Sequence, residues 1–356
     1  MRGHVEQNGA SIHPVRTAVV GLGRAGWNIH AKALRAASEH FIVDAVCDPD
    51  EERRAEAGSE TSWRVESDFQ RIIDDDQIEL VVVASPSHVH TQQTIAALEA
   101  GKHVVCEKPF ALSAQDAGAM LDAAHRADLV LAPFQNRRYE PHYQKVLEIV
   151  HSGALGEVLQ IRMCWHKFSR RWDWQAMRKF GGGALFNNGT HLLDQALGLL
   201  GDGEPDIFLD LRRGLSLGDA DEHMKLVLRR PDGPTIDIEL TNASAFEQDR
   251  WHIMGTAGGL IGTTEHLQWK TVDWATMPDR ELDLGPAEGR RYPAETFSWE
   301  LHEWRHPEGI PTPPAMFYSD VYGAIRTGSA LTVTPESAYR YVQILDRCRE
   351  QFAGIH

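Results

Sequence analysis

Through its first third the chain alternates short runs of consecutive apolar residues with stretches where apolar positions recur every three or four residues. The apolar runs are residues 17–20, Phe41–Cys47, 79–84, 102–105 and 129–132. Their length and valine content fit strands buried on both faces of a parallel sheet. The intervening stretches read as helices: from the glycines at 21–26 to about Ser38, from Ser67 to about Asp74, from about Thr91 to Ala100, and from Ser113 to Arg126. Such alternation predicts a doubly wound parallel sheet. The second half changes character. Residues 156–166 alternate apolar and polar positions, and 207–213, 224–228, 235–240, 251–254 and 260–262 are strand-like with short turns and mostly no helix between. That pattern predicts an open, mainly antiparallel sheet, with one broad face free for dimerisation. A helix is expected at 141–152, with Pro141 in its first turn, and another from Thr334-Pro335-Glu336 through Gln351. The expected fold class is therefore α/β, an N-terminal doubly wound parallel sheet followed by a C-terminal α/β domain. We expect a flexible extension at 1–14, a first domain at 15–135 and a second at 136–356, with a terminal helix able to pack back on the first.

The first apolar run leads directly into Gly21-Leu22-Gly23-Arg24-Ala25-Gly26. Alone, this glycine spacing is weak evidence. Here a strand precedes it, a helix follows, and the next strand ends at Asp48, 22 residues beyond Gly26. The glycines let the backbone approach a pyrophosphate, and the helix N-terminus supplies N–H groups and the positive end of a dipole. A carboxylate at Asp48 would accept hydrogen bonds from an adenosine ribose. It would also repel a 2′-phosphate, so NAD is expected over NADP, with Arg53 and Arg54 as the counter-signal.

Cys106-Glu107-Lys108-Pro109-Phe110 follows the strand at 102–105. A lysine at a strand's carboxyl end lies where open α/β sheets bind their ligands, and Pro109 restricts the backbone of Lys108 to extended conformations. Ser85-Pro86-Ser87-His88-Val89-His90 follows the strand at 79–84. His88 and His90 have no carboxylate or cysteine at ligand spacing, so no metal is expected; hydrogen bonding near the cofactor or helix capping fits better. In the second half, Trp165-His166-Lys167 and Arg170-Arg171-Trp172-Asp173-Trp174 interleave aromatic and charged groups, a combination that suits a polyhydroxylated ligand as well as it suits loop packing. Gly181-Gly182-Gly183 lead to Asn187, Asn188 and His191. A helix starting near Asn188 puts His191 on the same side as Asn187, Asp194 and Gln195.

A net charge of −15 with no long basic run argues against nucleic acid and anionic membranes as partners. No apolar stretch approaches the ~20 residues of a membrane span, and residues 1–13 lack the apolar core of a signal peptide. Cys47, Cys106, Cys164 and Cys348 are widely spaced, which suggests buried thiols in a reducing cytosol, and a cytoplasmic location is expected.

Taken together, these motifs resemble the Gfo/Idh/MocA family of sugar-processing oxidoreductases, the glucose–fructose oxidoreductase and inositol dehydrogenase type. The likeness runs over nearly all of the chain after Val15. It comprises the Gly21–Gly26 fingerprint, Ser85-Pro86 with His90, residues 100–109, Asn136-Arg137-Arg138, residues 181–194, Phe317-Tyr318 and Pro335-Glu336. The resemblance implies an N-terminal Rossmann domain and a C-terminal domain whose open sheet serves as an oligomer interface, giving a homodimer or homotetramer. It implies that Lys108 lies beside nicotinamide and substrate, and that the bond before Pro109 can be cis. Cofactor contacts are expected from residues 21–26, Asp48, Ser85, Pro86, His88, His90, Glu107, Lys108 and Asn136. Lys108, His191 and Asn187 are the expected catalytic residues, and Arg137, Trp165, His166, Asp173 and Trp174 join them in the substrate wall. The family's dehydrogenases carry an aspartate four residues before the histidine, where this chain has Asn187. An amide orients an imidazole without adding charge, so His191 should be a weaker base, unless Asp194 restores the charge. The expected activity is hydride transfer between NAD(H) and a sugar, polyol or related cyclic compound. The alternatives are a glycosidase that recycles its hydride and a non-catalytic NAD or sugar sensor.

Overall fold

The computed structural model describes residues 13–285, 292 and 294–353. Most of the expected N-terminal extension therefore lies outside the described residues. Two compact units emerge. The first comprises the described residues up to Tyr139 together with Lys179–Gly181 and Pro311–Glu350; the second holds Glu140–Arg178 and the described part of Gly182–Ile310.

The sheet of the first unit contains β1 (Val15–Val20), β2 (Phe41–Cys47), β3 (Arg64–Glu66), β4 (Leu80–Val83), β5 (His103–Cys106) and β6 (Leu131–Pro133). Their order is β3-β2-β1-β4-β5-β6 and every pairing is parallel. All carboxyl ends therefore share one edge. The central β1 and β4 are buried almost throughout, which is why they read as unbroken apolar runs. β3 escaped the hydrophobic pattern because it is three residues long, with Arg64 exposed. A π-helical turn (Gly26–Ala31) after the glycines runs on into α1 (Lys32–Ala36), and α2 (Glu51–Glu60), α3 (Gln70–Ile73), α4 (His90–Glu99) and α5 (Ala114–Ala127) complete the crossovers. Ser113 caps α5 by accepting the Asp116 amide hydrogen.

The second unit carries α6 (Pro141–His151), α7 (Gly189–Leu200) and a sheet of β7 (Val158–His166), β8 (Asp206–Arg212), β9 (His223–Arg229), β10 (Thr235–Thr241), β11 (Trp251–Gly255), β12 (Gly258–Gly262), β13 (His266–Thr271) and β14 (Glu300–Arg305). The order is β14-β13-β12-β11-β7-β10-β9-β8, antiparallel except where β7 meets β10. The sheet is thus open and mainly antiparallel. One face is covered: α7 packs on β10 and on α6. On that face the fully buried Trp251 donates its indole N–H to His142 Nδ1 at 3.1 Å. β13 and β14 lie at one edge and are mostly polar, so hydrophobic alternation does not reveal them.

The chain then returns to the first unit as α8 (Pro313–Thr327) and α9 (Pro335–Ala353). Phe317, Tyr318 and Val321 of α8 join the core formed by Val15, Phe41 and Phe134. Arg326 clamps Glu79 with two hydrogen bonds of 2.8 and 2.9 Å and also reaches the carbonyls of His13 and Pro14. This pairing helps hold the Glu79 carboxyl below its usual range, against the burial that would raise it. All four cysteines are buried free thiols.

Candidate active site

The glycine loop is built as a dinucleotide loop requires. A Cβ on Gly26 would collide with the Gly21 carbonyl, so only glycine permits that packing, whereas the Cβ position of Gly23 has no atom within 4 Å. Gly23 thus leaves open space where a diphosphate would need to approach the backbone. Leu22 is buried, Ala25 half-buried and Arg24 exposed. Asp48, at the end of β2, is 2% exposed. Its Oδ2 accepts the Leu22 N–H at 2.7 Å and its Oδ1 the Asp50 N–H at 2.9 Å. Oδ1 retains a second acceptor lobe. Arg53 stands 3.4 Å from Oδ2, whereas Arg54 is committed to the carbonyls of Asp48 and Pro49.

At the end of β5, Glu107-Lys108-Pro109 forms a turn with a cis bond between Lys108 and Pro109. Lys108 is half-buried. Glu107 is 6% exposed, and its two oxygens go to His30 Nε2 (3.1 Å) and to the Lys108 N–H (2.8 Å). His90 is 1% exposed, with Nδ1 2.9 Å from the Pro109 carbonyl and Nε2 2.9 Å from that of Ser85. It therefore neither faces solvent nor caps a helix; it ties the end of β4 to the turn after β5. Both of its neighbours are acceptors, so a neutral ring donates to one only. Burial holds its pKa below the ordinary histidine value, against those two hydrogen bonds, which raise it. Ser85 is half-buried beside Gln93, while Pro86 and His88 are exposed. Asn136 and Arg137 are half-buried in a short 3₁₀ segment after β6.

In the second unit, Gly183-Ala184-Leu185 is pinned by Asp221. Its carbonyl accepts the Ala184 N–H at 2.8 Å and its carboxylate the Leu185 N–H at 2.9 Å, and a Cβ on Gly183, at φ +108°, would strike that carboxylate. Burial pushes the Asp221 carboxyl up, against those backbone bonds. This turn delivers Asn187 and Asn188 to the start of α7, where His191, Asp194 and Gln195 are all buried. Gln195 donates to Glu140 Oε2 at 3.2 Å, and its carbonyl accepts the Tyr143 hydroxyl, so α7 is locked to α6. Asn187 lines a polar cavity of about 140 Å³, together with Lys167, Arg171, Gln175, Asp221 and Asn242. The Asn187 amide makes a long contact of 3.5 Å to Gln175 Oε1.

The aromatic and charged loop divides. Trp174 and Asp173 are exposed, and Arg171 pairs with Asp173, which lowers that carboxyl's pKa. Trp165 is half-buried beneath the Arg250 guanidinium, 4.4 Å from the ring centre. His166 does not reach the cavity: its ring is 2% exposed, with Nε2 3.1 Å from Glu239 and Nδ1 accepting the Gln248 N–H at 3.3 Å. It sits in a charged cluster with Arg162, Lys225 and Asp237. Spacing did not disclose His30, Gln175, Asp221 or Asn242. His30 follows Gly26 by one helical turn, the only local cue it carries. No group of three or more His, Cys, Asp or Glu side chains among the described residues could hold a metal ion, and none of the described helices is long and apolar enough to cross a membrane.

Sheet order, glycine loop and the acidic end of β2 define an NAD-binding Rossmann domain joined to a second α/β unit. The chain belongs to the GFO/IDH/MocA oxidoreductase family: the family's NAD-binding Rossmann domain matches residues 15–134 and its C-terminal domain residues 143–261. It is similar to the myo-inositol 2-dehydrogenase of Thermotoga maritima, with 30% identity over 286 residues, 76% of this chain and 80% of that protein. An uncharacterised oxidoreductase of Schizosaccharomyces pombe is 35% identical over 196 residues, so the match spans about half of each, 53% of this chain and 52% of the relative. Among solved structures, levoglucosan dehydrogenase in complex with NADH has a TM-score of 0.78 at 22% identity, covering 96% of this chain and 97% of that one. At that identity the likeness is one of fold.

Proposed function

We propose that the protein is an NAD(H)-dependent oxidoreductase acting on a CH–OH group of a sugar, polyol or related cyclic hydroxylated compound. The observation that carries this reading lies within the first unit. The glycine loop, Asp48, Ser85 and Lys108 follow β1, β2, β4 and β5, whose parallel pairing puts all four at one sheet edge. When bound, NAD supplies a two-electron acceptor for the carbinol hydrogen. Residues 21–26 and Asp48 would hold its pyrophosphate and adenosine ribose. In the oxidative direction His191 accepts the hydroxyl proton as general base. Lys108 donates a hydrogen bond to the same oxygen and stabilises its developing charge. Asn187 orients His191 or binds a substrate hydroxyl, and the amide-rich cavity beside it suits hydroxyl groups. NAD is preferred over NADP because Asp48 would face a 2′-phosphate. The name of one relative, a myo-inositol 2-dehydrogenase, favours the same substrate class.

The test is the appearance of NADH or NADPH absorbance across a panel of sugars, cyclitols and anhydrosugars, with each cofactor separately. Turnover with one compound, absent in Lys108→Ala, supports the reading. Cofactor binding with no turnover in either direction sinks it.

A further inference from the structure

Beneath the proposed catalytic lysine runs a closed chain of hydrogen bonds. Tyr318 and His30 are 0% exposed and Glu107 is 6% exposed, so none of the three is open to a ligand. With a neutral imidazole at His30, the direction of each bond follows. An ionised carboxylate only accepts, so His30 Nε2 carries the hydrogen it shares with Glu107 Oε1 at 3.1 Å. His30 Nδ1 is then a lone pair and accepts the Tyr318 hydroxyl at 2.7 Å. The second Glu107 oxygen accepts the Lys108 N–H at 2.8 Å. Burial drives the Tyr318 pKa well above its ordinary value, so its hydroxyl remains a donor. Burial alone would raise the Glu107 pKa as well, but the hydrogen bond from His30, with the charge and backbone N–H of Lys108, leaves it below the ordinary value. Phe134 packs on the His30 ring at 4.3 Å between centres and keeps the surroundings apolar. The other titratable groups against this turn are His90, through the Pro109 carbonyl, Cys106, whose thiol lies 3.6 Å from the Glu107 carbonyl, and Tyr341, whose hydroxyl accepts the Phe110 N–H at 2.8 Å.

We propose that Tyr318, His30 and Glu107 are positioning residues, which keep one fixed negative charge and one fixed hydrogen bond under Lys108 and so set the state in which its amino group meets the substrate. The Lys108 charge helps lower the Glu107 pKa, and by the same coupling the Glu107 carboxylate favours the ammonium form of Lys108. Tyr318 and His30 hold that carboxylate unprotonated and in one rotamer. The inference rests on the oxidoreductase reading for the role of Lys108, but not for the chain beneath it.

Near-isosteric variants test it. Tyr318→Phe removes one hydroxyl and leaves His30 Nδ1 without its donor; Glu107→Gln removes the charge. The pH dependence of Lys108 acylation, read by mass spectrometry, reports on its amino group without any turnover. We expect the Lys108 midpoint to fall by about one pH unit in Glu107→Gln and by less in Tyr318→Phe, with Lys145 unchanged. We expect kcat to fall about tenfold in both variants, with the NAD Kd of Tyr318→Phe held within about twofold. Lys108 labelling that is the same in wild type and both variants overturns the inference. So does a shifted Lys108 with unchanged kcat, or a loss of NAD binding in step with kcat, which marks a general structural role. If Glu107→Gln does not fold, Tyr318→Phe decides alone. A wild type that turns over no substrate while its Lys108 labelling shifts as expected in the variants defeats the oxidoreductase reading and leaves the arrangement around Lys108 standing.

Discussion

The Asp48 carboxylate accepts the amide hydrogen of Leu22 across 2.7 Å, so the acidic end of β2 holds the glycine loop itself. The bond is charge-assisted and almost wholly buried, a class that contributes roughly 1.5–3 kcal/mol. Asp48→Asn should therefore act twice, loosening the loop and removing the charge that disfavours a 2′-phosphate. The expected outcome is an NAD Kd raised about tenfold and an NADP Kd lowered, with Arg53 close enough to take the phosphate. Titration calorimetry with both cofactors checks it. An unchanged NADP-to-NAD ratio would remove Asp48 from cofactor selection.

The family resemblance aligns Asn187 with an aspartate of the dehydrogenases, and Asp194 is buried one turn beyond His191 on the same helix. Restoring the charge with Asn187→Asp should raise the lower midpoint of the kcat/KM pH profile by about one unit, since a nearby carboxylate favours the imidazolium. If Asp194 already supplies part of that charge, Asp194→Asn should lower the midpoint. An Asp194→Asn profile identical to wild type would show that it has no such part.

His90 joins two carbonyls from within the core of the first unit. His90→Ala removes the hydrogen bond that the neutral ring donates to one of them, with the ring's packing, and should lower the unfolding free energy by about 2 kcal/mol, measured by urea denaturation at neutral pH. The folded protein holds the His90 pKa below 6.5, so the unfolded chain binds a proton that the folded one resists. Wild-type stability should be full above pH 6.5 and decline as pH falls from there towards the depressed folded value. The decline should be shallower in His90→Ala. His103, whose pKa is also lowered chiefly by burial, keeps part of it.

Register puts Phe208, Val227, Asp237, Arg162, His252 and Ile261 side by side across the second sheet, on the face that α6 and α7 leave uncovered. Phe208 is 60% exposed and Ile261 46%. Apolar positions flanking a charged centre suit a self-complementary interface between two copies. Phe208→Glu combined with Ile261→Lys should convert an oligomer into monomers, as read by sedimentation velocity. A wild-type monomer at micromolar concentration, or an oligomer indifferent to both changes, would rule this face out.

The features legible from the primary structure are those whose signals are local. β2 was readable to the residue because six of its seven residues are apolar and most of them are buried, and the glycine loop because a single turn imposes its spacing. The start of α9 at Pro335 could be read because proline is tolerated at a helix's first position. Lys108 and His191 stood out for the same reason, each marked by proline or glycine beside it. The tertiary structure decided the rest. β3 is short, and β13 and the edge strand β14 are mostly polar, so their exposed positions dilute the apolar pattern. Phe317, Tyr318 and Arg326 belong to the first unit although the entire second sheet separates them from it in sequence, and no local period records that return. His166 reads like its neighbours, yet its ring turns to Glu239 because β7 pairs with β10. The chain beneath Lys108 joins residues 30, 107 and 318, three segments whose meeting depends on the whole core of the first unit. Spacing along a chain carries periodicity and turns; which buried polar groups satisfy one another is settled only when distant segments pack together.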